Sequence, residues 1–335
     1  MQQRIPYIDV IKGIAISLVV GGHVLERGFL FQSGFCYVLY NFIYSFHVPL
    51  FFLGSGLLIT QKLTYKKIIS KTISLLVPFF IVGSIYTLLA PQAEFKYLFF
   101  SQGKNGYWFV FTLFEIFLLF FFHQKIISFC QHIFGEKYSI LYEICTLSII
   151  ITISGGLYII FSSYHIGDFF AIKRVLAGYH FFIFGYWISN YDNIKYFFNK
   201  ERVFTCNLIL FLILFYISIN LYSNELFRTI YRIPITLSIY YIIKNANLSR
   251  FTKPFEYLGK NSLSIYLFHY FFIIYISDFT QLLLPFSGNN DIPLIFLILI
   301  GYATITIICS LFCNKIISQS CFLSFLFLGK KYVIK

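Results

Sequence analysis

Runs of about twenty apolar residues recur along this chain, separated by short polar stretches, and an α-helix of that length is what crosses a hydrocarbon core of about 30 Å. Of the 335 residues 59% are apolar and only 12% are charged, against roughly 25% charged in soluble domains. With no water inside the bilayer, each spanning segment must satisfy its own backbone groups, so the expected fold class is an all-α polytopic transmembrane bundle. We read about ten spans, near 8–28, 36–60, 72–90, 107–123, 139–162, 171–189, 204–222, 230–244, 262–284 and 292–313. No soluble run is long enough for a second domain, so residues 1–335 read as one membrane domain.

The net charge of +13 would suit a nucleic-acid partner only if it formed a stripe, and here it is scattered between hydrophobic runs. Topology explains it better. With the N-terminus inside, Arg4, Lys12, the Lys62–Lys71 group and the C-terminal lysines face the cytoplasm, and only Arg27, Lys96, Lys104, Lys173, Arg174, Arg228 and Arg232 fall outside. Both termini are therefore expected in the cytoplasm. The seven cysteines lack paired metal-ligand spacing and read as packing residues, so no metal site is expected. No cleavable signal is evident, because the first apolar segment carries Asp9 and Lys12. The 45 Phe and 27 Tyr suit interhelical packing and interfacial anchoring.

Against that background the first span stands out. Asp9, Lys12, His23 and Arg27 share one helical stripe, and Lys12 and His23, eleven residues apart, are separated by about 16 Å along the axis. Ionisable groups inside lipid cost roughly 2.5 kcal/mol or more each and persist where a polar cavity or a reaction needs them. Taken singly, Lys12 reads equally as a snorkelling anchor and His23 as an interhelical hydrogen-bonding group. Together they suit an anionic donor entering from the cytosol, with proton transfer at the deeper end. Asp9 needs a partner, and Lys12 one turn away is the natural one.

The second span carries His47, Pro49 and Gly54-Ser55-Gly56, which predicts a proline kink and close packing at the glycines. The Lys62, Lys66, Lys67 and Lys71 loop reads first as topogenic, and could also hold phosphates as point charges.

Arg4-x4-Asp9-x2-Lys12-Gly13-Ile14-Ala15 followed by His23 resembles the first-helix signature of acyltransferase family 3, the integral-membrane O-acyltransferases of bacterial surface polysaccharides. His47-Val48-Pro49-Leu50-Phe51-Phe52-x2-Ser55-Gly56 resembles its second-helix motif. Tyr107-Trp108-Phe109, Phe181-Phe182-Ile183-Phe184-Gly185 and the stretch from Leu258 to His269 look like later landmarks in the expected order. The resemblance implies transfer of an acyl group, usually acetyl, from cytosolic acyl-coenzyme A to a sugar hydroxyl. It also implies a bacterial cytoplasmic-membrane location and a basic-residue-x10-His motif on Lys12 and His23. The family more often has Arg at the first of these; Lys12 keeps the charge and loses the bidentate fork. The hydrolase-like domain that some relatives carry is missing, so a stand-alone transferase is expected.

On this reading the catalytic set is His23, Glu115 and Asp9. Lys12, Lys66, Lys67, Lys71, His47 and Ser55 would bind the donor, and Trp108, Lys173 and Arg174 the acceptor. His23 would deprotonate the acceptor hydroxyl or accept the acyl group transiently. Glu115, on the face of Trp108, would polarise an imidazole or pair with a cation. His180, His269 and Asp278 are further intramembrane candidates, His269 reading mainly as a structural landmark. The partners expected are acyl-coenzyme A as donor, a glycan or glycolipid acceptor and membrane lipid, with no resident cofactor. The rival is a transporter or flippase of an anionic or glycolipid substrate, disfavoured because no two halves with matched broken helices are visible. A membrane assembly subunit with structural charges is the third reading.

Overall fold

A computed structural model of the chain describes residues 5–28, 34–91, 93–161, 166–221, 224–246, 252–273 and 292–330. All regular structure among them is helical. In chain order the helices are α1 (Pro6–Gly28), α2 (Gly34–Tyr44), α3 (His47–Leu57), α4 (Tyr65–Leu89), α5 (Phe95–Phe100), α6 (Trp108–Phe134), α7 (Ser139–Phe161) and α8 (Ile166–Phe169). They continue as α9 (Ile172–Asn190), α10 (Asp192–Phe198), α11 (Glu201–Asn220), α12 (Glu225–Asn245), α13 (Lys253–Lys260), α14 (Ser262–Ile273), α15 (Ile292–Ile317) and α16 (Cys321–Leu328).

Seven segments among the described residues are long and apolar enough to cross a membrane: Pro6–Gly28, Gly34–Leu57, Tyr65–Leu89, Trp108–Phe134, Glu136–Ile160, Glu201–Asn220 and Ile295–Ile317. The other three expected spans coincide with α9, α12 and the start of α14; the last runs on beyond the described residues, as do Arg4 and Asp278. Large apolar side chains stand exposed along α7, α11 and α15, among them Ile159, Leu212, Ile213, Leu297 and Ile300. A helix left apolar on its outer face needs hydrocarbon around it, so this is a membrane protein.

The chain divides into two units, Met1–Leu58 with Phe181–Ile316, and Ile59–His180 with Ile317–Lys335. In the first, α1 is central. Ile11, Ala15, Ile16, Val20, Val24 and Leu25 are wholly buried, and α2, α3, α12, α13 and α14 pack on the helix. Glycine permits that approach. A Cβ on Gly13 would stand 1.8 Å from the Phe255 carbonyl oxygen, and one on Gly259 1.8 Å from that of Asp9, so α1 and α13 meet backbone to backbone. The same device joins α3 to the later part of α9, where a Cβ on Gly56 would lie 1.9 Å from the Phe182 oxygen and one on Gly185 2.1 Å from that of Leu53.

The second expected span is a helix broken at Ser45-Phe46 into α2 and α3. Pro49 has no N–H for the Ser45 carbonyl four residues back and its ring crowds it, which puts the break there. Phe46 sits at φ −143°, ψ −15°, outside the helical region. His47 then donates from Nδ1 to the Ile43 carbonyl at 2.7 Å, satisfying an acceptor next to the interruption.

In the second unit α4 packs on α6 and α16. Gly329 at φ +59° closes α16 so tightly on α4 that a Cβ would stand 2.4 Å from the Ser74 oxygen. Lys104, expected as an outside charge, is 1% exposed. Its ammonium donates to the carbonyls of Phe99, Asp168 and Phe169 at 3.0, 3.3 and 2.9 Å and lies 4.4 Å from the Phe111 ring centre, so it ties the α5–α6 loop to α8. A buried chain runs from Tyr179 to His123 Nδ1 (2.8 Å) and from His123 Nε2 to Glu143 (2.9 Å), linking α9, α6 and α7.

Candidate active site

His23 lies near the end of α1 with its side chain 16% exposed, neither fully bared nor sealed. Its Nδ1 is 2.9 Å from Glu26 Oε2 on the same helix. The Tyr44 hydroxyl of α2 donates to that carboxylate oxygen at 2.8 Å. An ionised carboxylate only accepts, so Nδ1 carries a proton, and in the neutral ring Nε2 then holds the lone pair. The Tyr270 hydroxyl of α14 meets Nε2 at 2.9 Å and, by that tautomer, donates to it. A carboxylate orienting an imidazole whose far nitrogen holds a lone pair is the arrangement of a general base.

Aromatic rings frame the imidazole. His269 stacks on it at 5.5 Å between ring centres, Tyr270 lies at 4.9 Å, and Tyr44 presents its edge at 6.4 Å. Tyr40 stacks on Tyr44 at 4.0 Å, and buried His47 meets the Tyr44 ring at 4.6 Å. His47, expected to bind the donor, thus supports the tyrosine that holds Glu26. His269 donates from Nδ1 to the Tyr266 carbonyl at 2.6 Å, while its Nε2 is buried with no hydrogen-bond partner among the described residues.

Elsewhere in this unit the Lys12 stem runs beside Gly54, where an added Cβ would lie 3.8 Å from Lys12 Cγ, and Ser55 is buried next to it. Asp9 Oδ2 is buried and accepts no hydrogen bond among the described residues, so the expected Asp9–Lys12 pairing does not form through that oxygen.

The remaining expected site residues belong to the second unit. Lys66 and Lys67 are exposed in the first turn of α4, with Lys67 Nζ 3.2 Å from Gln61 Oε1. Lys71 folds over the Phe117 ring at 4.5 Å. Trp108 and Arg174, both expected to meet the acceptor, come together with the guanidinium 4.5 Å from the indole centre, while Lys173 is exposed. Glu115 Oε2 is buried without a hydrogen-bond partner, and Glu115 polarises no imidazole among the described residues; the carboxylate on His23 is Glu26 instead. Glu26, Tyr44 and Tyr270 were absent from the sequence-derived set. Only Glu26 had a local signal, an acid three residues from His23.

Among the described residues no group of three or more His, Cys, Asp or Glu is placed to hold a metal ion. No curated protein and no solved structure matches the chain. The Acyltransferase domain family matches residues 5–314, across both units and through every motif quoted above but the Arg4 at its start. The chain belongs to acyltransferase family 3.

Proposed function

We propose that this membrane acyltransferase moves an acyl group, acetyl in the simplest case, from cytosolic acyl-coenzyme A to a hydroxyl of a cell-surface polysaccharide or its lipid-linked precursor. Its setting would be the bacterial cytoplasmic membrane, with both termini inside. The observation that carries the reading is the His23–Glu26 contact, which in the neutral ring supports the tautomer a base needs. As acceptor oxygen bonds to the thioester carbonyl carbon, its proton passes to His23 Nε2. The carbon–sulfur bond then breaks, and the imidazolium returns the proton to the thiolate. Glu26 keeps the ring oriented and offsets the charge that develops on it. In the first unit Lys12 would meet the donor's phosphates as a point charge, and in the second Lys66, Lys67 and Lys71 are a basic group able to act on anions in the same way. Trp108 and Arg174 offer the acceptor an aromatic face and a donor fork.

Mass spectrometry of the surface glycan from cells carrying the wild-type protein or His23→Ala tests this. The expected result is a loss of one acyl unit from the glycan in the variant, with the polymer still at the surface. Polymer missing from the surface in the variant would overturn the reading in favour of export.

A further inference from the structure

Within the second unit α4 and α6 pack side by side, and three ammonium groups line the seam between them. Lys62 donates to Ser128 Oγ at 3.0 Å. Lys125 lies 5.9 and 5.6 Å from the ring centres of Tyr65 and Phe121, and Lys71 lies 4.5 Å from that of Phe117. On α6 the positions involved, 117, 121, 125 and 128, recur at helical spacing and form one stripe about 16 Å long. Every partner in this row is neutral. Lys62, Lys71 and Lys125 form no ion pair among the described residues, and an ammonium has three donors, so these contacts leave hydrogen-bonding capacity as well as charge unused. Glu143 does not offset them, because it is buried against His123, on the side of α6 opposite the stripe. Three like charges along one seam repel one another, and an anion that bridges them relieves that repulsion.

Beside the cations the surface is apolar. Leu118, Phe122 and Ile126, each one residue on from the stripe, are 37%, 55% and 42% exposed, and Ile69 on α4 is 59% exposed. Lys62 and Lys125 are themselves exposed, at the end of the seam where the membrane-crossing segment Tyr65–Leu89 begins. Cations at that end, edged by side chains that need hydrocarbon, match a molecule with phosphate at its head and acyl chains below. We propose that the α4–α6 seam is a binding site for an anionic phospholipid, with its phosphates on Lys62, Lys71 and Lys125 and its chains along Leu118, Phe122 and Ile126. A row of three cations suits a headgroup with two phosphates, as in cardiolipin, better than one with a single phosphate. The site lies wholly within the second unit and does not depend on the chemistry at His23. Its occupant stabilises that unit by mass action.

Full-length protein in detergent is mixed with cardiolipin or phosphatidylcholine, and the lipid-bound fraction is followed against lipid concentration by native mass spectrometry. Wild type should take up cardiolipin at lower concentration than phosphatidylcholine, and the advantage should shrink as salt is raised. A lysine beside an anionic lipid is worth about fivefold in binding, so Lys62→Gln combined with Lys125→Gln should weaken cardiolipin uptake about 25-fold. Arg at both positions should retain it. Lys137→Gln combined with Lys200→Gln, an equal loss of charge from exposed lysines off the seam, should leave it unchanged. Equal weakening by the two Gln pairs overturns the site, because binding then follows net charge alone. Uptake unmoved by the seam pair overturns it too, and salt-independent uptake by wild type does so without any variant. Displacement of bound cardiolipin by coenzyme A, which brings phosphates without the lipid's chains, assigns the seam to the donor and overturns the lipid.

Discussion

Replacing Glu26 with Gln isolates what orients the base. The substitution keeps the size of the side chain and removes the charge that accepts from His23 Nδ1 at 2.9 Å and from Tyr44 at 2.8 Å. A hydrogen bond to a charged group contributes roughly 1.5–3 kcal/mol. The Glu26 side chain is 38% exposed, which lets water screen the interaction and selects the lower end of that range. The imidazolium formed during transfer should then lose about 1.4 kcal/mol of stabilisation, a factor of about ten in kcat. A Gln amide that turns its NH₂ toward Nδ1 would also favour the wrong tautomer, extending the loss toward a hundredfold. Tyr44→Phe removes only one donor to the carboxylate and should cost about three- to tenfold. The assay is steady-state transfer from acyl-coenzyme A in detergent, with kcat and KM for the donor determined separately. KM should stay within about twofold, since Glu26 orients the base rather than holding the donor. A Glu26→Gln enzyme with wild-type kcat would refute the claim that this carboxylate sets the state of His23.

Three further outcomes follow from the packing. Gly259→Ala and Gly185→Ala, whose new Cβ would stand 1.8 and 2.1 Å from backbone oxygens, should sharply reduce the yield of folded protein in size-exclusion profiles, whereas Gly155→Ala, with nothing within 4 Å, should not. Burial of Lys104, opposed by the charges of Glu115 and Asp168, lowers its pKa from 10.5 to about 8. The unfolded lysine keeps its proton up to about 10.4, so unfolding takes up a proton between those values. Stability should be flat in this respect below about pH 8 and rise from there toward about 10, a slope that thermal unfolding should show in wild type and lose in Lys104→Met. Glu143→Leu leaves His123 and Tyr179 buried without their carboxylate and should cost about 3 kcal/mol, seen as a lower unfolding temperature that His23→Ala does not share.

Much of the architecture is legible in the sequence because bilayer thickness and helical rise fix segment length. The expected spans fall on helices over their described parts, the second on two, α2 and α3, and seven segments are long and apolar enough to cross a membrane. The Pro49 kink and the Gly54-Ser55-Gly56 contact are legible for equally local reasons, a missing N–H and a missing Cβ. His23 is legible as a titratable group whose burial demands an explanation. Its partners are not. Glu26 lies off the stripe that joins Asp9 to Arg27, and attention to one helical face passes over it, although side chains three residues apart meet. Tyr270 is 247 residues from His23, and only the packing of α14 on α1 brings them together. His47 is expected to bind the donor because a broken helix at membrane depth faces protein or a watery cavity. Its Nδ1 is taken by the Ile43 carbonyl beside the helix break, a contact that the sequence does not reveal.

The account turns on His23 as the group through which a thioester is consumed. The most direct measurement is release of coenzyme A thiol by the purified protein, set against ester formed on the acceptor, for wild type and His23→Ala of equal monodispersity. Wild type should release one thiol per ester, and His23→Ala should fall by at least about 10²-fold in both. Unchanged release and ester formation in His23→Ala would contradict the account.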